Sequence, residues 1–109
     1  KLLPKTADIT ILEIVKLLIE KGANINFFNS DAFCCAVIYG HIDIVVLFLE
    51  KGIDINIDAN DNVPLLRAAE EGHTEIVALL LKNGANIHAK NDRALYLALK
   101  NKQVNLNFQ

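Results

Sequence analysis

The chain has 109 residues, a formal charge of −2 at pH 7 and an apolar content of 52%, which fits a single domain. That charge provides no general attraction to nucleic acid or to anionic lipid, so neither a nucleic-acid nor a membrane partner is expected. No apolar run reaches the ~18 residues that span a bilayer, no secretory signal is visible, and the only two cysteines are adjacent. Reduced thiols in an intracellular, cytoplasmic setting are therefore expected.

Residues 1–10 are weakly patterned, and Pro4 is tolerated only in the first turn of a helix, so an irregular cap is expected there. Over 11–21, Ile11, Ile14, Val15, Leu18 and Ile19 recur at three- and four-residue spacing, the apolar stripe of a helix. Gly22 stops it. The connector 23–31 is rich in turn formers, Asn24, Asn26 and Asn29, and Asp31 is placed to cap the helix that follows. Phe27 and Phe28 stand near the connector's tip, where packing on a neighbouring connector is the simpler role and contact with a partner the alternative.

Residues 32–39 form a short helix with Phe33, Ala36 and Val37 toward the core. Gly40-His41 turns the chain, and 42–51 return as a second helix with Ile44, Val45, Phe48 and Leu49 inward, ended by Gly52. A second connector, 53–62, leads into another pair over 63–71 and 74–83. Pro64 suits the first turn of its helix, and Thr74 is placed to cap the return helix. After a third connector, 85–92, comes a last short helix over 93–101. Beyond it Lys102-Gln103 stands where the earlier units have Gly-His, and Asn105, Asn107 and Gln109 interrupt the apolar positions. This is either a polar end-cap or a point within a longer array.

These segments repeat one another. Gly40-His41 precedes Gly72-His73 by 32 residues, Gly52 precedes Gly84 by 32 and Gly22 precedes Gly52 by 30. Glu13-Ile14-Val15, Asp43-Ile44-Val45 and Glu75-Ile76-Val77 are one phrase written three times. A period of this length carrying two helices marks a solenoid, in which each unit needs a neighbour to bury its apolar face.

The run Pro64-Leu65, Ala68-Ala69, Gly72-His73, Glu75-Ile76-Val77, Leu80-Leu81, Gly84-Ala85-Asn86-Ile87 resembles the ankyrin repeat, and the resemblance covers nearly all of residues 8–101. It departs at the repeat start, which reads Val63-Pro64-Leu65-Leu66, Asp31-Ala32-Phe33-Cys34 and Arg93-Ala94-Leu95-Tyr96 in the three units. The resemblance implies an all-α, helix-turn-helix solenoid with short β-hairpin or loop fingers. It divides 1–109 into a partial repeat over about 1–27, repeats over 28–57 and 58–89, and a partial repeat or cap over 90–109. The absence of Met and the imperfect first unit favour a piece cut from a longer array. The phrase from Gly84 to Leu95, with the richness in Ile and Asn, looks like the short repeats of giant viruses of amoebae and of some intracellular bacteria. That would make a host protein the partner and the host cytoplasm the location.

The same resemblance implies a function. Ankyrin-like arrays grip other proteins with the concave face lined by inner helices and finger tips. The off-core inner-helix positions here are Cys35, Ile38 and Tyr39, then Arg67, Glu70 and Glu71, then Leu97, Lys100 and Asn101. Read across repeats, Cys35, Arg67 and Leu97 make one row and Ile38, Glu70 and Lys100 another. The finger tips are Phe28 and Asn29, Asn60 and Asp61, and Asn91 and Asp92. A Tyr beside an Ile with Arg nearby has the composition of an interaction hot spot. A monomer that binds a protein partner is expected; the alternative is a structural spacer or cap in a longer array with no partner of its own.

Catalysis finds no residues to rest on. His41 and His73 recur at the repeat period, which suits a turn-closing role better than a metal site, and Cys34-Cys35 lacks the second pair that zinc would need. Glu70 and Glu71 are adjacent on an exposed helix end rather than opposed in a pocket. No phosphate loop, nucleophile-base pair or cofactor motif is present, so neither an enzyme nor a bound cofactor or metal is expected.

Overall fold

The computed structural model describes residues 8–26, 31–56 and 63–106, with side chains to residue 100. The expected N-terminal cap over 1–7, the tip residues Phe27, Phe28, Asn29, Asn60 and Asp61, and residues 107–109 lie outside these segments. Six helices follow in order: α1 (Ile9–Glu20), α2 (Asp31–Ile38), α3 (Ile42–Glu50), α4 (Pro64–Glu71), α5 (Thr74–Lys82) and α6 (Ala89–Leu106). Among the described residues no strand is formed. α2 pairs with α3 and α4 with α5, while α1, α3 and α5 stack as an outer layer and α2, α4 and α6 as an inner one. This is the all-α helix-turn-helix solenoid that the repeats imply.

The helix pairs close in the same way because the sequence repeats there. At the end of α2 the Gly40 amide donates to the Val37 carbonyl at 3.1 Å and the His41 amide to the Ala36 carbonyl at 2.9 Å. The end of α4 repeats this with Gly72 to Ala69 at 3.2 Å and His73 to Ala68 at 3.0 Å. Such a turn satisfies the last helical carbonyls and requires a left-handed residue, and Gly40 and Gly72 supply φ of 72° and 74°. The connectors repeat too. Asn24, Asp54 and Asn86 each accept from the amide two residues on, at 2.9, 3.0 and 3.0 Å. Asn56 then ties two connectors together, donating to the Gly84 carbonyl at 3.0 Å and accepting from the Asn86 amide at 2.9 Å.

The core lies between the layers in the middle of the stack. Phe33, Val37, Val45, Leu65, Ala68, Ile76 and Leu80 are at most 2% exposed. The Phe33 and Phe48 rings stack at 5.9 Å. The expected inward residues of α2 and α3 are all found there, Leu49 half-buried.

Four expectations need correction. In α1 only Leu12, Val15 and Ile19 reach the core, while Ile11, Ile14 and Leu18 are 43–56% exposed. The stripe is apolar on more sides than the described neighbours cover. Asp8, not foreseen as a cap, begins α1, its carboxylate accepting from the Thr10 amide at 2.7 Å and from that of Ile11 at 3.4 Å. Thr74 is the first residue of α5 rather than its cap, a position that His73 holds without a side-chain bond. The last segment does not fold back after 101 but stays helical through Leu106. It also begins differently. Lys90, Asn91 and Asp92 have φ of 55–62°, a left-handed turn before the right-handed helix. Asn and Asp tolerate that conformation better than other non-glycine residues, and His88 Nδ1 donates to Asp92 Oδ1 across the turn at 2.6 Å.

Candidate functional site

The inner helices α2, α4 and α6 carry the face that the sequence singled out. On α2, Cys35 is exposed, Ile38 is half-buried, and Tyr39 at the helix end is 69% exposed with its ring stacked on that of His41 at 6.2 Å. On α4, Glu71 is exposed, and Arg67 Nη1 donates to Glu70 Oε1 at 2.6 Å with both side chains about 30% exposed. Arg67 Nε is buried and finds no partner among the described residues. On α6, Lys100 is exposed.

Leu97 is the exception. It is 5% exposed and belongs to the core, so it is not a contact residue. The left-handed turn at 90–92 sets a new register, and the helix that follows buries Leu97 while leaving Leu95 at 66% exposure.

Between α4 and α6 this face opens into a cleft of about 340 Å³. Leu66 and Leu97, both buried, lie against it together with the Arg67–Glu70 pair. Lys90, Arg93 and Lys100 complete its lining. Arg67, Glu70, Leu97 and Lys100 are thus brought together, as expected. Tyr39 lines a separate cavity of about 90 Å³ with Gly40, Gly72 and His73. Asn91 is exposed in the left-handed turn, and Asp92 lies on the opposite side of α6, against α5. Lys90 and Arg93 were missed. Arg93 and Lys100 are seven residues apart, two helical turns on one side, which was the available signal. Arg93 also sits over the Tyr96 ring at 4.6 Å, holding the guanidinium by a cation–π contact.

His73 performs a different task from the one expected. Its ring does not close its own turn; Nε2 donates to the Ile38 carbonyl of the preceding unit at 2.9 Å. It thereby fixes the end of α2, where Tyr39 stands, against the start of α5. Among the described residues no three His, Cys, Asp or Glu side chains are grouped as metal ligands.

The two cysteines diverge as adjacent helical residues must. Cys34 is 2% exposed and Cys35 is exposed. Burial, reinforced by the Asp31 carboxylate, pushes the Cys34 thiol up to about 11, so it holds almost no thiolate near neutral pH. One equivalent of maleimide is therefore expected to label the native chain rapidly, at Cys35, and two equivalents the urea-unfolded chain. Mass spectrometry of the labelled peptides reads this directly, and rapid native labelling at Cys34 would contradict the packing of α2.

Comparison with known proteins identifies the repeats. Residues 7–91 match the family described as "Ankyrin repeats (3 copies)". The chain belongs to the ankyrin-repeat family. Ankyrin repeats generally mediate protein–protein interaction. The chain is 39% identical over 83 residues to an ankyrin repeat protein of Acanthamoeba polyphaga mimivirus, covering 74% of this chain and 27% of that protein. It is 36% identical over 94 residues to the ankyrin repeat and KH domain-containing protein mask-1 of Caenorhabditis elegans, covering 83% of this chain and 4% of that one. It is 34% identical over 76 residues to the phosphocholine transferase AnkX of Legionella pneumophila, covering 68% and 8%. This ankyrin-repeat chain thus spans about a quarter or less of the length of these relatives. No helix among its described residues is long and apolar enough to cross a membrane.

Proposed function

We propose that the chain is a protein-interaction module rather than an enzyme, and that it grips one protein partner with the inner-helix face and the finger tips beside it. The observation that carries this reading is Tyr39. An aromatic ring 69% exposed, at a helix end tied to the next unit by His73, meets the partner with little ordering entropy left to lose. Ile38 and Cys35 extend the contact along α2. The cleft between α4 and α6 extends it further, with Arg67, Glu70, Lys100 and the unforeseen Arg93. Three cations, Lys90, Arg93 and Lys100, line this cleft, so the segment seated there carries carboxylates. Affinity comes from a few aromatic and Arg anchors, and the charges set orientation and encounter rate. An intracellular setting fits this reading, and the likeness to viral and bacterial proteins favours a host protein as partner.

The test is affinity capture from a host lysate with two baits, the chain itself and the triple variant Tyr39→Ala, Arg67→Glu, Lys100→Glu. A protein retained by the first bait and lost from the second is the expected result. Equal retention by both would move the site to the convex side. Capture of nothing by either would favour the spacer role.

A further inference from the structure

The stack is open at both ends, and the two openings match. α6 is an inner helix with no outer helix beside it among the described residues. Beyond α5 the outer layer leaves a groove of about 540 Å³, lined from α4 by Leu65 and Ala68, from α5 by Val77 and Leu81, and from α6 by Leu95 and Ala98. Internal comparison shows what is missing. Val77 and Leu81 correspond to Val45 and Leu49 of α3, 32 residues earlier. Val45 is 0% exposed, whereas Val77 is only half-buried and Leu81 is 38% exposed.

At the other end α1 is an outer helix with no inner helix beside it among the described residues. Its Ile14 and Leu18 correspond to Ile44 and Phe48 of α3 and to Ile76 and Leu80 of α5. Those four are 0–4% exposed, yet Ile14 is 53% and Leu18 56% exposed. One end thus has a site for an outer helix, and the other has an outer helix whose inward residues are uncovered. Both openings are apolar patches of the kind that mark an interface.

We propose that the groove between α5 and α6 takes α1 of a second copy of this chain, so that α6 of one copy and α1 of the next make one complete repeat. Stacking then continues from α5 through the second copy's α1 to its α3, the same outer-layer packing that joins α1, α3 and α5 within the chain. The contact is head-to-tail. Each copy keeps one unused end of each kind, so association is open-ended rather than limited to a dimer. The monomer expected from the sequence gives way to concentration-dependent assembly.

Sedimentation equilibrium of the full chain, from micromolar to millimolar concentration, tests this with two variants. Ile14→Glu/Leu18→Glu charges the α1 end, and Leu95→Glu/Leu99→Glu charges the groove end, where Leu95 and Leu99 are 66% and 60% exposed. Because all four positions are exposed, both variants should keep the helical circular dichroism of the parent, which is checked first. The parent's weight-average mass is expected to rise continuously from 12.1 kDa to at least about twice that value. Each variant alone is expected to remain at the monomer mass. An equimolar mixture of the two is expected to form a 1:1 dimer and nothing larger, since it contains one intact end of each kind. A parent that stays monomeric throughout would overturn the proposal and leave the groove to a helix within the same chain. Association that survives in either variant, or a mixture that stays monomeric, would overturn it as well.

Discussion

Leu80→Ala is expected to lower the stability of the chain by about 2–5 kcal/mol, whereas Leu18→Ala should cost under about 1 kcal/mol. The two leucines occupy the same position of α5 and α1, four residues after the repeated Ile of Glu-Ile-Val or Asp-Ile-Val. Leu80 is 0% exposed in the core formed with Leu65 and Ile76, and Leu18 is 56% exposed. Truncating Leu80 removes apolar contacts and leaves a cavity that helices fixed at both ends collapse into only partly. Total stabilities of small domains are about 5–15 kcal/mol, so this one change removes a large share. Urea denaturation at dilute concentration, where copies do not associate, measures both variants. A cost below about 1 kcal/mol for Leu80→Ala would mean that α5 has the wrong rotation. Equal costs for the two leucines would mean that α1 is as well packed as α5.

The second large effect is at Gly40. A Cβ added there would lie 2.8 Å from His73 Cε1, and the residue has φ of +72°. The ring cannot swing away cheaply, because Nε2 is bonded to the Ile38 carbonyl. Gly40→Ala therefore combines left-handed strain of about 1–2 kcal/mol with loss of a half-buried hydrogen bond worth about 0.5–1.5 kcal/mol. Gly72 separates the two terms. It has φ of +74° and nothing within 4 Å of the same position, so Gly72→Ala should show the strain alone. The expected order of thermal stability is parent, then Gly72→Ala, then Gly40→Ala. In a His73→Ala background the difference between the two alanine variants should shrink. If Gly40→Ala were no worse than Gly72→Ala, His73 would not be the clamp between units.

The repeats were legible because Gly-His and Glu-Ile-Val mark one physical event each time, a left-handed turn and the first inward residues of a return helix. Phe33, Val37, Ile44 and Phe48 were placed correctly from spacing alone. Burial at the ends was not legible. Ile14 and Ile76 read identically in sequence, and their exposures of 53% and 2% depend on whether another helix lies beyond. Leu97 was misplaced because the three consecutive left-handed residues at 90–92 shift the register, and nothing in Lys-Asn-Asp demands three rather than one. The His73–Ile38 bond joins residues 35 apart, beyond the reach of local pattern. Of the candidate face, Tyr39, Arg67, Glu70 and Lys100 were found from their off-core positions, while Arg93 and Lys90 became visible only when α4 and α6 formed a common cleft.

The most direct measurement of the binding account is the dissociation constant of the captured protein for four chains: the parent, Tyr39→Ala, Arg93→Ala, and the convex-side control Lys82→Ala, whose position on α5 is exposed. The account predicts a loss of about tenfold or more for Tyr39→Ala and Arg93→Ala, the size of an interface anchor, with Lys82→Ala unchanged. Unchanged affinity for both inner-face variants beside a loss for Lys82→Ala would contradict it and place the partner on the outer layer.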